Sequence, residues 1–193
     1  YEAELHDFIN QMLSSDLDYV VDVGCAEGYY AVGFALKLKD IKVYAFDISE
    51  YAQKLCKDMT IVNDVSNKVI IKGEVNKNFF LNLPKDKKGL IIFDCEGAES
   101  ELIDEKVLNH LSNCNFMVEL HEFIVRGIEN KLIRLFENSH NTKIIESVDD
   151  YRRPDRWPLP ILKNIAYQDQ LEFYKEGRPG LMKWVCAVPL QKK

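Results

Sequence analysis

Basic residues are in short supply. Lysine and arginine number 25 against 31 aspartates and glutamates, a net charge of −6. Such a balance lacks the general cationic surface that nucleic acids and anionic membranes attract, so neither is expected as a general partner. Cysteine is sparse and unpatterned. The five thiols, Cys25, Cys56, Cys95, Cys114 and Cys186, are odd in number and show no C-x-x-C spacing. Most stand in strand-like apolar surroundings, which argues for reduced core residues and against a disulfide framework or a zinc site. No apolar stretch is long enough to span a bilayer and no signal peptide is visible, so the expected location is cytoplasmic. There is no internal repeat and no linker of the kind that separates domains. What remains is 193 residues, 47% hydrophobic and 29% charged, the profile of one soluble globular domain with a real core.

Strand-like and helix-like patterns alternate along that domain. An amphipathic lead-in helix over 2–13, within a 1–18 lead-in segment, precedes a strand at 19–23 and a helix over about 27–38. Strands follow at 41–46, 68–72, 89–94, 115–120, 143–147 and 183–188. Between them, Ser49 caps a helix running toward Asn63, residues 97–111 read as one helix, and 129–139 as another. The stretch 68–84 includes a polar, lysine-bearing connection, and 149–160 is loop-like, with three prolines and three arginines. The reading is α/β: a doubly wound, Rossmann-like sheet of seven mostly parallel strands with an antiparallel last strand and helices on both faces.

The run Tyr19–Tyr30 is the most informative segment. Val20, Val21 and Val23 suit a central strand covered on both faces. Gly24 permits a sharp turn at the strand's carboxyl end and Gly28 a close approach, at the place where open α/β sheets bind ligands. Two ligands fit a strand–glycine-loop–helix unit. Dinucleotides require G-x-G-x-x-G, whose bare amides face a pyrophosphate. This loop is Gly-x-x-x-Gly instead, and Glu27 would repel that anion. S-adenosylmethionine carries an ammonium and a sulfonium and no phosphate, so an acid in the loop favours it. The donor-binding set is therefore expected to include Asp22, Gly24, Cys25, Ala26, Glu27, Gly28 and Tyr30.

Acids recur at the strand ends. Asp47 closes the second strand 23 residues after Gly24, the offset at which an acid takes ribose hydroxyls, with Ile48 beside it. It would otherwise be a capping aspartate. Asp22 either holds the glycine loop or reaches the donor's ammonium through water. Gly73 and Glu74 are positioned to border an adenine, or form an ordinary turn. Asp94-Cys95-Glu96-Gly97-Ala98-Glu99 places three acids directly after a buried strand. Glu99 suits a solvated first helical turn, where the macrodipole favours acids, but Asp94 does not. Alternation sends Glu119 and His121 to one side of the fifth strand, so Asp94, Glu119 and His121 are the expected catalytic groups, with Asp94 also an expected donor contact.

VVDVGCAEGYYAVGFA, FDCEGAESELI and MVELHEF resemble motifs of the FkbM-type methyltransferases, a branch of the S-adenosylmethionine-dependent class I fold. The strand-ending D-x-E-G-x-E carries the resemblance most specifically, and the match covers about residues 19–122. The resemblance implies O-methylation of a hydroxyl on a sugar, polyketide or related small molecule. Residues 149–180, matched only by strand order, are then the expected acceptor region. Its Arg152, Arg153, Arg156 and Trp157, with Glu96 from the acidic motif, are the expected substrate contacts, unless the arginines merely pair with surface acids.

In-line transfer requires that the acceptor hydroxyl lose its proton to a nearby base, or that two or three of the acids hold a divalent metal such as magnesium; the sequence compels no metal. Two other classes compete. A methyltransferase of nucleic acid or protein is disfavoured by charge and by the lack of an N/D-P-P-Y/F motif after the fourth strand. A non-catalytic donor-binding domain would be expected to have lost the glycine loop or the acids, and both are present.

Overall fold

The structure, a computed structural model, describes residues 1–178 and 180–190; Pro179, inside the expected acceptor region, lies outside the described residues. Seven strands form one sheet: β1 (Tyr19–Val23), β2 (Lys42–Phe46), β3 (Val69–Lys72), β4 (Gly89–Phe93), β5 (Asn115–Leu120), β6 (His140–Glu146) and β7 (Lys183–Pro189). Their order is β3-β2-β1-β4-β5-β7-β6. All neighbours are parallel except β7, which runs antiparallel to both β5 and β6. This is the expected architecture, antiparallel last strand included.

The central strands β1 and β4 are apolar on both faces because helices cover both. Val20 of β1 and Leu90 and Ile92 of β4 pack toward α1 (His6–Leu13), α2 (Tyr29–Lys37) and α3 (Glu50–Val62). Val21, Val23, Ile91 and Phe93 point the other way, toward α4 (Lys77–Leu81), α5 (Glu99–Leu102), α6 (Glu105–His110) and α7 (Ile128–Phe136). The alternation is the pleat itself, with successive side chains on opposite faces. From β1 the chain winds outward through β2 to β3, then returns to β4 and winds the opposite way. The crevice above β1 and β4 is therefore the topological switch point, where such sheets bind ligands.

Several boundaries differ from the sequence reading. The helix expected over 97–111 is two, because Asp104 caps a new start: its Oδ1 accepts from the Val107 amide at 2.9 Å. The lysine-bearing connection contains α4, capped by Asn76. The loop-like stretch coils into short helical turns, including α8 (Arg153–Arg156), and α9 (Tyr167–Tyr174) follows it. Neither has enough apolar periodicity to be seen in advance. No helix among the described residues is long and apolar enough to cross a membrane.

Candidate functional site

The β1 and β4 loops meet at van der Waals range, and Gly24 is what lets them. Its φ is +86°, and a Cβ there would lie 1.7 Å from the carbonyl oxygen of Asp94. The absent side chain thus makes room for the β4 loop. The loop's backbone is tied sideways as well, since the amides of Gly24 and Cys25 both donate to the carbonyl of Phe46, at 2.8 and 2.9 Å. Gly28 has a different reason to be small: a Cβ would come within 2.8 Å of Cys56 Sγ on α3. Two residues bordering the crevice, Ala26 and Glu96, hold left-handed backbone, φ 45° and 53°. Such conformations are costly for non-glycine residues and cluster at ligand sites.

These loops enclose a cleft of about 490 Å³. Gly24, Ala26, Asp47, Ile48, Gly73, Glu74 and Asp94, all read as donor contacts, line it together, as does Glu96. Asp47 spans two elements. Its Oδ2 accepts from the Ala26 amide at 3.0 Å and its Oδ1 from the Ser49 amide at 2.9 Å. The N-cap of α3 is Ser49 rather than Asp47, whose carboxylate ties two loops together and keeps lone pairs beyond these two bonds.

Five residues read as donor contacts stand outside the cleft. Asp22 is 1% exposed, and its Oδ2 accepts from the Ala31 amide at 3.0 Å, holding the first turn of α2. Burial raises its pKa to about 7 against that hydrogen bond. Cys25 and Gly28 are buried, Glu27 is exposed, and the Tyr30 hydroxyl donates inward to Glu2. Of this loop, Gly24 and Ala26 line the cleft, whereas Asp22 beneath it fastens α2.

Beyond Asp94 the site becomes a knot of charge. His121 is 1% exposed, and its Nδ1 lies 2.8 Å from Oε1 of Glu99. Glu99 is fully buried, so its reading as a solvated residue of the first helical turn is corrected. Its other oxygen accepts from the Gly97 amide at 2.9 Å, which fixes the carboxylate beneath the ring. The imidazole Nε2 faces Glu119 Oε2 at 3.4 Å, Glu96 Oε2 at 3.6 Å and Asp94 Oδ1 at 3.7 Å. Asp94, Glu119 and His121 can each present a ligand atom within 4.8 Å of the others. Burial alone would lower the His121 pKa, but Glu119 and Glu99 raise it to about 10. Burial and the adjacent Glu119 push Asp94 upward, while His121 and Arg178 hold Glu119 below the usual carboxylate range despite its burial.

Two members of this cluster were not placed here by sequence reasoning: Glu2, and Arg178, which was read only as one of the arginines of the acceptor region. Arg178 Nη1 donates to Glu119 Oε1 at 2.9 Å, its Nε to Glu176 Oε2 at 2.9 Å and its Nη2 to Glu2. Nothing local marks this partnership, because Glu2 and Arg178 lie 176 residues apart.

The expected substrate arginines divide. Arg153 is 3% exposed and bound to Glu176 and Glu4, so its expected place on an acceptor surface is corrected to a buried ion pair. Arg152 and Arg156 are exposed, and Arg156 sits over the Trp157 ring, 5.3 Å from its centroid. None of Arg152, Arg153, Arg156 and Trp157 lines the cleft.

No family model and no curated protein matches the chain. Solved structures do. An rRNA methylase from Streptococcus thermophilus superposes with a TM-score of 0.62 at 16% identity, covering 96% of this chain and 94% of that one. A SAM-dependent methyltransferase from Geobacter sulfurreducens, in complex with S-adenosyl-L-homocysteine, gives 0.56 at 12%, covering 98% and 92%. A precorrin-6y C5,15-methyltransferase from Geobacter metallireducens gives 0.59 at 8%, covering 95% and 86%. At such identities the likeness is one of architecture: the chain has the Rossmann-like fold of these methyltransferases.

Proposed function

We propose that this chain is an S-adenosylmethionine-dependent methyltransferase of the FkbM type, acting on a hydroxyl of a small molecule or sugar. One observation carries the reading: a single cleft at the sheet's switch point is lined by Gly24, Asp47, Gly73, Glu74 and Asp94, and its Asp94 end runs into Glu119 and His121. In this reading Asp47 takes the ribose hydroxyls and the Gly73-Glu74 turn borders the adenine. The donor's sulfonium then sits toward Asp94, where nearby carboxylates favour its positive charge.

The acceptor oxygen attacks the methyl carbon opposite sulfur. A C–O bond forms, the C–S bond breaks with its electron pair passing to sulfur, and the hydroxyl proton passes to a carboxylate of the Asp94–Glu119 pair. The protein's largest contribution is alignment of the two reactants. A neutral acceptor is favoured over RNA, because Glu74, Glu96 and Glu101 all line the cleft and the net charge is −6.

Labelled donor incubated with a panel of hydroxylated metabolites and with RNA tests the reading. Label on an oxygen of a small molecule is the expected result, and label on RNA alone would overturn the acceptor class. Calorimetry with S-adenosylmethionine, its demethylated product and NAD tests the donor, and binding of NAD alone would end the methyltransferase reading.

A further inference from the structure

We propose that Asp94, Glu119 and His121 form a site for one divalent transition-metal ion. The inference rests on the methyltransferase reading only for its purpose, not for its geometry. His121 is the centre of the argument. Its side chain is 2% exposed, and its Nδ1 is taken by the fully buried Glu99. Its Nε2 is ringed by carboxylate oxygens of Glu119, Glu96 and Asp94 at 3.4, 3.6 and 3.7 Å, and an ion bound there would replace the proton on that nitrogen.

Those distances are too long for good hydrogen bonds. Two ligands sharing one ion, with bonds of about 2.1 Å at angles of 90–120°, lie about 3.0–3.6 Å apart; Glu119 at 3.4 Å falls inside that range and Asp94 at 3.7 Å just beyond it. Glu119 is prepared in the same way: Arg178 occupies Oε1 at 2.9 Å and leaves Oε2 turned toward the imidazole. A buried carboxylate on the far nitrogen of a histidine is how proteins orient a metal-binding ring, and Glu99 fills that place.

The donor set selects the metal. One imidazole with two carboxylates suits manganese, iron, cobalt or zinc better than magnesium or calcium, which take oxygen ligands. Asp94 also lines the cleft, so open coordination positions would face the space assigned to the acceptor hydroxyl, where a divalent ion lowers the pKa of a bound oxygen.

The test uses the full chain, stripped with a chelator and titrated with Mn²⁺ alone, with bound and free ion separated by electron paramagnetic resonance. One Mn²⁺ per chain is expected, undisturbed by a tenfold excess of Mg²⁺ or Ca²⁺. His121→Ala should weaken binding by about a hundredfold and Glu99→Gln by about tenfold, the latter through ring orientation. His121→Asn replaces His121→Ala if thermal melts show the first variant unfolded. Absence of Mn²⁺ binding in the parent chain, unchanged affinity in the His121 variant, or equal displacement by Mg²⁺ each overturns the assignment. Calorimetry with S-adenosylmethionine is run on the same samples. Mn²⁺ binding without donor binding would leave the ion site standing and sink the methyltransferase reading, and the reverse would do the opposite.

Discussion

The two ends of the cleft are built by different means. The end at Gly24, Asp47 and Gly73 is made of backbone, with glycine turns, strand-end amides and one carboxylate bridging two neighbouring loops. The end at Asp94, Glu119 and His121 is made of side chains, several of them buried ions drawn from across the chain. Backbone turns are encoded by the residues that form them. A buried ion is encoded only together with its partner, and that partner can be anywhere. The first kind of site tolerates change in side chains that do not touch it; the second fails when any one partner is lost, because the remaining charge is then stranded.

The sharpest way to break this comparison is at Arg153. Its partners Glu176 and Glu4 are as buried as it is, so Arg153→Ala should lower stability by about 3–5 kcal/mol in urea unfolding. Arg152→Ala, on the exposed side, should change it by less than about 0.5 kcal/mol. Equal effects would mean that the charged end is no more interdependent than ordinary surface.

Asp22 tests the backbone end through pH. Burial raises its pKa from 3.8 to about 7 in the native state. Because the folded value lies above the unfolded one, the native state holds an extra proton between about pH 4 and pH 7. Stability therefore falls as pH rises through that window and levels off above it, with at most about 4 kcal/mol from this group. Asp22→Asn keeps an acceptor for the Ala31 amide and removes the titration, so thermal melts of the variant should fall less steeply across that range than those of the parent. Identical slopes would show that Asp22 does not titrate there.

Gly24→Ala should cost about 3 kcal/mol, from left-handed backbone and from the collision with the Asp94 carbonyl. A stable variant with merely weaker donor binding would mean that the glycine serves the ligand rather than the joint between β1 and β4. Asp47→Ala is the mildest change. It should weaken S-adenosylmethionine binding by about 1–3 kcal/mol in calorimetry, and unchanged affinity would leave Asp47 with its loop-tying role alone.

The same division explains how much was legible in advance. The sheet could be read because each strand is a short apolar run bounded by turn residues, and the cleft-lining glycines and Asp47 sit where such strands end. Glu99 misled because an acid in a first helical turn usually faces water; only the distant imidazole of His121 gives it reason to be inside. Arg153 misled in the same way, since proline-rich surroundings say exposed loop while Glu4 and Glu176 say core. The partnership of Arg178 with Glu2 carried no signal, because pairing across 176 residues leaves no periodicity to read.

That separation along the chain also sets an order in time. The pairs joining Arg178 to Glu119 and Glu2, and Arg153 to Glu4, close loops of 59, 176 and 149 residues. They can close only once the sheet has brought their elements together, whereas the glycine loop is in place as soon as β1, β2 and β4 pair. The charged end of the cleft is thus the last part of the molecule to become itself. In pulse-labelled hydrogen exchange during refolding, the amides of Gly24 and Cys25 should gain protection before that of Met182, which leads into β7 and donates to the Ser147 hydroxyl. A newly folding chain would have its glycine-loop turn set before the charges across the cleft were paired.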